Sequence, residues 1–174
     1  ADVVKLKAAN ADAVFVYLNE EESARFLREA KKQGLNKPMI GETTLLGQKV
    51  IDLAGEAANG VRGHVGLTVD APIPAVQAFA ANFKKRFNYA CDHNGIKGYT
   101  AVYFIKHVTE KIGKFDSKAF AEAAHGITIS PKDEPNMLME ATWDKNGDID
   151  RISFLGEVVE GKQKIVETLP KLGK

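Results

Sequence analysis

The stretch DAVFVYLNEEESARFLREAKKQGLNKPMIGETTLLGQKVIDLAGEAANG, residues 12–60, decides the fold of this chain. Its apolar blocks predict a strand at 14–18, a helix at 21–33 ended by Gly34, and a strand at 38–41. A short helix at 46–54 ended by Gly55 and a third strand near 61–67 follow. This alternation indicates an α/β fold with a parallel sheet. We expect the run of Met39 and Ile40 to be covered on both faces of that sheet.

Polar residues follow the first two predicted strands. Tyr17 and Asn19 come at the end of the first strand, and Glu42, Thr43 and Thr44 follow the second. Ligands of parallel α/β sheets bind at the carboxyl ends of the strands, so these side chains predict a ligand crevice. Glu42 suits a cation such as an ammonium group, and the threonines can donate to a carboxylate. The alternative is that Asn19, Thr43 and Thr44 cap the helices that follow.

The second half of the sequence predicts helices and hairpins. Apolar residues recur at helical spacing in two segments, which are Val76, Phe79, Ala80, Phe83 and Phe87, then Ala101, Phe104, Ile105, Val108 and Ile112. Pro74 suits the start of the first of these helices, and Asp116 suits the N-cap of a third helix at 117–124. The pair Asn146-Gly147 predicts a two-residue hairpin turn between 138–143 and 149–154. A second turn is expected at 160–161, between 158–159 and 164–169.

The composition limits the class of function. The 174 residues carry 24 basic and 23 acidic side chains, a formal net charge of +1, with no basic cluster that would indicate nucleic-acid binding. The expected partner is therefore a small molecule. No apolar run approaches the roughly 20 residues of a membrane span, and no signal-peptide pattern occurs. Because the chain lacks an initiating Met and starts like the second half of an amphipathic helix, we expect a fragment of a longer protein.

No motif supports catalysis, a metal site or a cofactor. Asp144, Asn146, Asp148 and Asp150 alternate as in a calcium loop, but the sixth-position glycine and the twelfth-position acidic ligand are missing, so a plain turn is expected. The histidines are too dispersed to define a metal site; they are His64, His93, His107 and His125. His93 with Cys91 or Asp92 is interpreted as a set of loop residues rather than a base and nucleophile. As the single cysteine, Cys91 is expected to be a small packed side chain.

Seven segments carry a resemblance that none of them carries alone. They are residues 4–16 (VKLKAANADAVFV), 26–34 (FLREAKKQG), 40–41 (IG), 53–61 (LAGEAANGV), 79–87 (FAANFKKRF), 98–102 (GYTAV) and 143–148 (WDKNGD). In this order they resemble the substrate-binding proteins of ABC transporters, of the branched-chain amino-acid type with the type I periplasmic-binding fold. The resemblance corresponds to the C-terminal half of such a protein. It implies α/β parallel sheets with flanking helices, present as incomplete parts of two lobes, with 1–68 and 152–174 in the second lobe and 69–151 in the first.

The same resemblance implies which side chains contact a ligand. The loops after the first two strands would supply Tyr17 and Asn19 from one side and Glu42 and Thr43 from the other. Family members that bind amino acids commonly place an acidic group near the end of the second strand to receive the α-ammonium. Glu42 comes a little earlier than that position, which admits a carboxylate or aromatic-acid ligand instead. Tyr99 is expected either at the ligand cleft or in the core of the first lobe.

The function implied is that of a non-catalytic receptor in the periplasm or elsewhere outside the cytoplasm. It would capture an amino acid or related small carboxylate between two closing lobes and deliver it to an ABC permease. The alternatives are a sensory or regulatory domain of the same fold and, more weakly, a small α/β enzyme. Because both lobes would lack upstream strands, we expect pairing with the missing N-terminal half, an exchanged copy of the chain, or rearranged packing.

Overall fold

The computed structural model describes residues 2–173, which form two units. One comprises Ala1–Gly66 with Phe154–Thr168, called unit 1, and the other comprises Leu67–Ser153 with Leu169–Lys174, called unit 2. The helices are α1 Asp2–Ala9, α2 Glu20–Lys32, α3 Gln48–Ala54, α4 Pro74–Phe87, α5 His93–Ile112 and α6 Ser117–Ala124. The strands are β1 Val14–Val16, β2 Met39–Glu42, β3 Arg62–Val65, β4 Thr128–Ile129, β5 Ala141–Trp143, β6 Ile149–Asp150, β7 Ser153–Val159 and β8 Lys162–Leu169. The backbone therefore passes between the units three times.

Unit 1 is built on a five-stranded sheet in the order β1-β2-β3-β7-β8. The first three strands are parallel, as the sequence predicts, with Val14 opposite Met39 and Ile40 opposite Arg62. Strand β7 then pairs antiparallel with β3. The carboxyl ends of β1 and β2 therefore lie side by side. The residues predicted to bind a ligand are at and directly after these two strand ends.

The predicted helix α2 is confirmed, and its ends follow simple physical rules. Three glutamates occupy its first turn and two lysines its last turn, so both sets of charges complement the helix dipole. Gly34 follows the helix with φ of +65°, the left-handed conformation that glycine adopts without steric cost. On the inner side Ala24, Leu27 and Ala30 are buried, so α2 packs one apolar stripe into the core of unit 1.

The expectation that the run of Met39 and Ile40 is covered on both faces of the sheet is wrong. The side chain of Phe15 is 68% exposed and that of Ile40 is 41% exposed, whereas Val14 and Val16 are buried. Strand residues alternate between faces, so Phe15 and Ile40 share the face opposite to Val14 and Val16. Within residues 2–173, this face of β1 and β2 is therefore left largely open to solvent at Phe15 and Ile40. An apolar run in a strand shows that the segment is extended, but it does not show what lies on either side.

The loop after β2 also differs from the prediction. The short helix begins at Gln48, with Gly47 as its N-cap, rather than at residue 46. The preceding Leu45 and Leu46 lie in consecutive turns and are each only 1% exposed. Their apolar character suggested helix, but their role is to bury the loop itself against the sheet.

Unit 2 contains helices α4, α5 and α6 and a three-stranded sheet in the order β4-β5-β6. The predicted start of α4 at Pro74 is confirmed. Asp116 caps α6 as predicted, accepting from the backbone N–H of Ala119 at 2.8 Å, and Asp92 caps α5 by accepting from Gly95 at 3.0 Å. These caps fix where two of the helices begin.

An aromatic cluster closes the core of unit 2. The ring of Phe104 stacks on Trp143 with a centroid distance of 4.0 Å and meets Phe120 edge to face at 5.7 Å. The three rings pack against a cluster of buried residues, which are Val108, Ile127, Ile129, Met137 and Ala141. The apolar stripe predicted along α4 is only partly covered, because Val76 is buried whereas Phe87 is exposed.

The hairpin predicted around Asn146-Gly147 forms, but not with a two-residue turn. Strands β5 and β6 pair antiparallel, with Trp143 opposite Ile149. Five residues connect them because Oδ1 of Asp144 accepts from the backbone N–H groups of both Asn146 and Asp148, at 2.8 and 2.9 Å. This side chain organises a wider turn than the Asn-Gly pair alone predicts. The second predicted turn, at Glu160 and Gly161, is confirmed with φ of +51° and +73°.

Candidate functional site

The polar residues predicted to bind a ligand in unit 1 lie at the carboxyl ends of two neighbouring strands. Val16 of β1 pairs with Gly41 of β2, so the residues that follow each of them leave the sheet next to one another. Tyr17 and Asn19 follow β1, Glu42 ends β2, and the two threonines come directly after it. The structure thus brings the five residues of unit 1 together at the carboxyl ends of β1 and β2.

The side chains of Tyr17 and Asn19 make no hydrogen bond within residues 2–173. Tyr17 is 74% exposed. Asn19 occupies the N-cap position of α2, yet its side chain makes no capping hydrogen bond. The turn is held instead by the buried Ser23, whose hydroxyl donates to the carbonyl of Leu18 at 3.2 Å, and whose backbone N–H donates to the carbonyl of Asn19 at 2.9 Å. The capping alternative is therefore wrong for Asn19, and its amide faces solvent.

Glu42 shapes the second loop. Its Oε1 accepts from the backbone N–H of Thr44 at 3.0 Å, and its carbonyl accepts from the N–H of Leu45 at 3.0 Å. The carbonyl of Thr44 then accepts from Gly47 at 3.0 Å, and Gly47 is the N-cap of α3. Thr43 and Thr44 therefore cap no helix, contrary to the alternative left open above. Within residues 2–173, no ion pair occupies the Glu42 carboxylate.

His64 is a candidate site residue that the sequence analysis considered only as a metal ligand. It is opposite Glu42 in the parallel pairing of β2 and β3, and it is exposed. Residues paired across neighbouring strands project to the same face, so the His64 imidazole and the Glu42 side chain leave the sheet on one face at paired positions. The alternation of Arg62-Gly63-His64-Val65 predicts which face His64 occupies. The register that brings it to Glu42 is visible only in the structure.

A groove of about 700 Å³ runs beside β1. Its wall is formed by Val3 and Leu6 of α1, Phe15 and Tyr17 of the first strand and its loop, and Phe26 of α2. β1 is also the outermost strand of the sheet, so alternate backbone N–H and C=O groups of this strand face an open edge. Among residues 2–173, unit 1 therefore presents an apolar groove and an unpaired strand edge beside Tyr17.

Tyr99, the sixth predicted site residue, lies in α5 of unit 2. Its ring packs against Phe79 and Tyr103 with centroid distances of 4.6 and 4.8 Å, and its hydroxyl donates to Oδ1 of Asn136 at 3.4 Å. Burial, followed by hydrogen bonding to Tyr103, raises the pKa of the Tyr99 hydroxyl. The side chain also lines a groove of about 560 Å³ with Phe83. Tyr99 thus takes part in packing and in a surface groove of its own unit.

A buried carboxylate supports this part of unit 2. Glu134 is 3% exposed, and its Oε2 accepts from Nζ of Lys106 at 2.6 Å. Its Oε1 accepts from the side-chain and backbone nitrogens of Asn136 at 2.9 and 3.1 Å. The Lys106 ammonium, followed by the Asn136 donors, lowers the pKa of Glu134 to about 2. The network fixes the orientation of the Asn136 amide, so that its oxygen faces Tyr99.

The chemistry around Cys91 does not fit a nucleophile. Burial and the neighbouring charge of Asp92 raise the pKa of the Cys91 thiol, whereas a reactive thiol needs a lowered pKa. Its Sγ donates to the carbonyl of Asp92 at 3.3 Å, and the Asp92 carboxylate is engaged in capping α5. Cys91 is buried, as the sequence predicts.

Residues 2–173 contain no group of three or more His, Cys, Asp or Glu side chains that is arranged to hold a metal ion. None of their helices combines the length and the apolar character that a membrane crossing requires. In the turn at Asp144, Oδ1 of the carboxylate accepts from backbone N–H groups.

Comparison with known proteins establishes the class and then the family. The mixed sheet with flanking helices is the type I periplasmic-binding fold. Residues 2–163 match the periplasmic binding protein family, and the chain belongs to that family.

Solved structures of the same fold include three informative relatives. The leucine-binding protein LivK of Thermotoga maritima is 18% identical, with a TM-score of 0.81 over 97% of this chain and 47% of that one. An ABC transporter solute-binding protein of R. palustris, in complex with 4-hydroxybenzoate, is 18% identical with a TM-score of 0.82, over 98% and 48%. The branched-chain amino-acid binding protein LivJ of Streptococcus pneumoniae, in complex with isoleucine, is 16% identical with a TM-score of 0.76, over 98% and 47%. The chain spans about half the length of each.

Proposed function

We propose that this chain is part of an extracytoplasmic solute-binding protein of an ABC transporter. It captures an amino acid or a related small carboxylate, including an aromatic acid, and delivers it to a membrane permease without covalent chemistry. The observation that carries the proposal is the set of polar side chains at the adjacent ends of β1 and β2. Tyr17 and Asn19 are exposed, and their side chains make no hydrogen bond within the described residues, which leaves these side chains available to a ligand.

The chemistry of these groups suits a small polar molecule with one flat or apolar part. Tyr17 supplies a ring and a hydroxyl, Asn19 supplies an amide, and Thr43 and Thr44 supply hydroxyl donors for a carboxylate. Glu42 supplies the acceptor for an ammonium group. This set fits both kinds of ligand named for the solved relatives, an amino acid and a hydroxybenzoate. Amino-acid binding depends on Glu42, whereas aromatic-acid binding does not.

The two units are proposed to be parts of two lobes. In this proposal residues 1–68 and 152–174 belong to the second lobe and residues 69–151 to the first lobe, to which Tyr99 contributes. The chain spans about half of its relatives, and β1 has an open outer edge beside an apolar groove. We propose that further polypeptide, the missing N-terminal half or an exchanged copy of this chain, pairs with that edge.

The experiment that tests the proposal is identification of the bound solute. The protein is purified at its full natural length without added ligand, it is denatured, and the small molecules released are identified by mass spectrometry. Calorimetric titration of the refolded protein with leucine, isoleucine, benzoate and 4-hydroxybenzoate then measures affinity. We expect saturable binding of one class. No released solute and no binding of any of the four probes would contradict the proposal.

A sensory role is the second candidate, because a receptor of this fold can signal on ligand binding instead of delivering the ligand. The genomic context separates the two. Adjacent permease and ATPase genes support transport, whereas fusion to an output domain supports sensing.

A further inference from the structure

Three glycines stand in one row across the sheet of unit 1. Gly41 of β2 is opposite Gly63 of β3, and Gly63 is opposite Gly156 of β7. Paired residues project to the same face of a sheet, so the row, called the glycine row below, leaves a strip without side chains across three strands. None of the three has the positive φ that would require glycine for its backbone conformation. Backbone conformation therefore does not explain why glycine occupies these three positions.

The reason for glycine is the close approach of the loop after β2. A Cβ atom on Gly63 would lie 2.5 Å from Cδ1 of Leu46 and 3.1 Å from the backbone oxygen of Gly41. A Cβ atom on Gly156 would lie 2.7 Å from Cδ2 of Leu46. Each methyl group of Leu46 thus occupies the place of one missing Cβ. A Cβ atom on Gly41 would lie 2.5 Å from Cδ2 of Leu45 and equally close to the backbone oxygen of Val16. The two leucines are seated directly on the sheet.

The seated leucines are continuous with the candidate ligand loop. Leu45 directly follows Thr43 and Thr44, and its backbone N–H donates to the carbonyl of Glu42 at 3.0 Å. Because packed interiors respond to a single added methylene, the depth at which Leu46 rests on the sheet determines where this turn lies. The Glu42 carboxylate, which accepts from Thr44, moves with the same turn.

We propose that Gly63, Gly156 and Leu46 are positioning residues of the ligand site, acting by seating the loop that carries Glu42, Thr43 and Thr44. This inference rests on the proposed function, since it assigns those three residues to the site. It adds specificity-determining residues that touch no ligand. A side chain at Gly63 or Gly156 lifts the loop away from the strand ends, and a smaller side chain at position 46 makes room for it.

The test compares Gly63→Ala and Gly156→Ala with Gly98→Ala, a matched control in which a Cβ atom meets nothing within 4 Å. Amide hydrogen exchange is measured by NMR at Thr44 and Leu45 and, as a reference for the sheet, at Val158, whose N–H donates to the carbonyl of Val61 at 2.9 Å. We expect roughly tenfold faster exchange at the two loop amides, with less change at Val158, because the loop opens locally. The Gly98→Ala protein should match the wild type at all three amides.

The rescue variant separates positioning from general loss of stability. Leu46→Val removes both Cδ atoms. The amides of Thr44 and Leu45 should therefore exchange more slowly in the double variant Gly63→Ala with Leu46→Val than in Gly63→Ala alone. Equal acceleration at Val158 and at the loop amides, or no rescue in the double variant, overturns the inference. If Gly63→Ala does not fold, the same comparison is made between Gly156→Ala and the double variant Gly156→Ala with Leu46→Val. That pair tests the contact of Leu46 Cδ2 with position 156.

None of these measurements needs a ligand. Failure of the proposed function would appear separately, as absence of binding by leucine, isoleucine, benzoate and 4-hydroxybenzoate to a wild-type protein whose loop behaves as described.

Discussion

Tyr17→Ala is expected to weaken ligand binding while leaving the fold intact. Tyr17 is 74% exposed, so only about a quarter of the roughly 200 Å² of a tyrosine side chain is buried. At ~25 cal/mol per Å², the ~50 Å² removed gives an upper limit of about 1.3 kcal/mol in the free energy of unfolding. A hydrogen bond from its hydroxyl to a ligand carboxylate is worth about 1.5–3 kcal/mol, which corresponds to a roughly 10- to 150-fold increase in Kd.

The assay uses two readouts on the same samples of the full-length protein. Urea denaturation gives the change in stability, and calorimetric titration with whichever of leucine, isoleucine, benzoate and 4-hydroxybenzoate binds the wild type gives the change in Kd. Tyr17→Phe separates the hydroxyl from the ring. Phe115→Ala is a matched control, since that aromatic side chain is almost fully exposed in unit 2 and has no proposed role.

Two results would refute the reasoning for Tyr17. An unchanged Kd in Tyr17→Ala would remove the residue from the site. A loss of stability well above about 1.3 kcal/mol would show that the side chain supports the fold, and the weaker binding would then have a structural cause.

The other predictions concern one binding residue, one buried carboxylate and one core residue. Glu42→Gln should weaken the binding of leucine and isoleucine at least about tenfold, because the charge-assisted hydrogen bond to the ammonium is lost, and should leave benzoate affinity nearly unchanged. Calorimetry with both ligand classes measures the two affinities, and equal losses for both would contradict the prediction. The pKa of Glu134 is lowered to about 2, so the stability it contributes is complete above its ordinary value of 4.5 and is lost as the pH falls toward 2. Urea midpoints between pH 7 and pH 2 should therefore fall less steeply in Glu134→Gln than in the wild type, and parallel curves would refute the assignment. Phe154→Ala should destabilise the protein by about 3–5 kcal/mol, because the ring is completely buried in β7 and its removal leaves a cavity; a loss below about 1 kcal/mol in urea denaturation would contradict this.

Local signals predict the elements of this chain well. The acidic start and glycine end of α2, the start of α4 at Pro74, the cap at Asp116 and the turn at Glu160-Gly161 all depend on residues close in sequence. Such features follow from helix dipoles, backbone dihedral preferences and side-chain hydrogen bonds within a few residues. The structure therefore reproduces them with shifts of one or two residues.

Features that depend on distant residues could not be predicted in the same way. The exposure of Phe15 and Ile40 depends on which elements cover the sheet, and a strand sequence does not contain that information. The turn at Asn146-Gly147 widened because one carboxylate, that of Asp144, accepts from two backbone groups. Both results show tertiary or side-chain contacts overriding a local preference.

The sequence predicts which polar residues follow the strands at the candidate site, but it does not predict which residues of other strands lie beside them. The positions of Tyr17, Asn19 and Glu42 follow from where predicted strands end, which is a local property. The neighbour of Glu42, His64, is 22 residues further along and becomes a neighbour only through the register of β2 and β3. The glycine row likewise requires the pairing of three strands, one of which comes from the far end of the chain.

The most direct measurement is an amide-resolved NMR titration of the full-length protein with the solute that mass spectrometry identifies in it. We predict saturable shifts that include the amides of Tyr17, Asn19, Glu42, Thr43 and Thr44, with the same Kd at each. Saturable binding that leaves these five amides unshifted would contradict the assignment of the ligand site to the ends of β1 and β2.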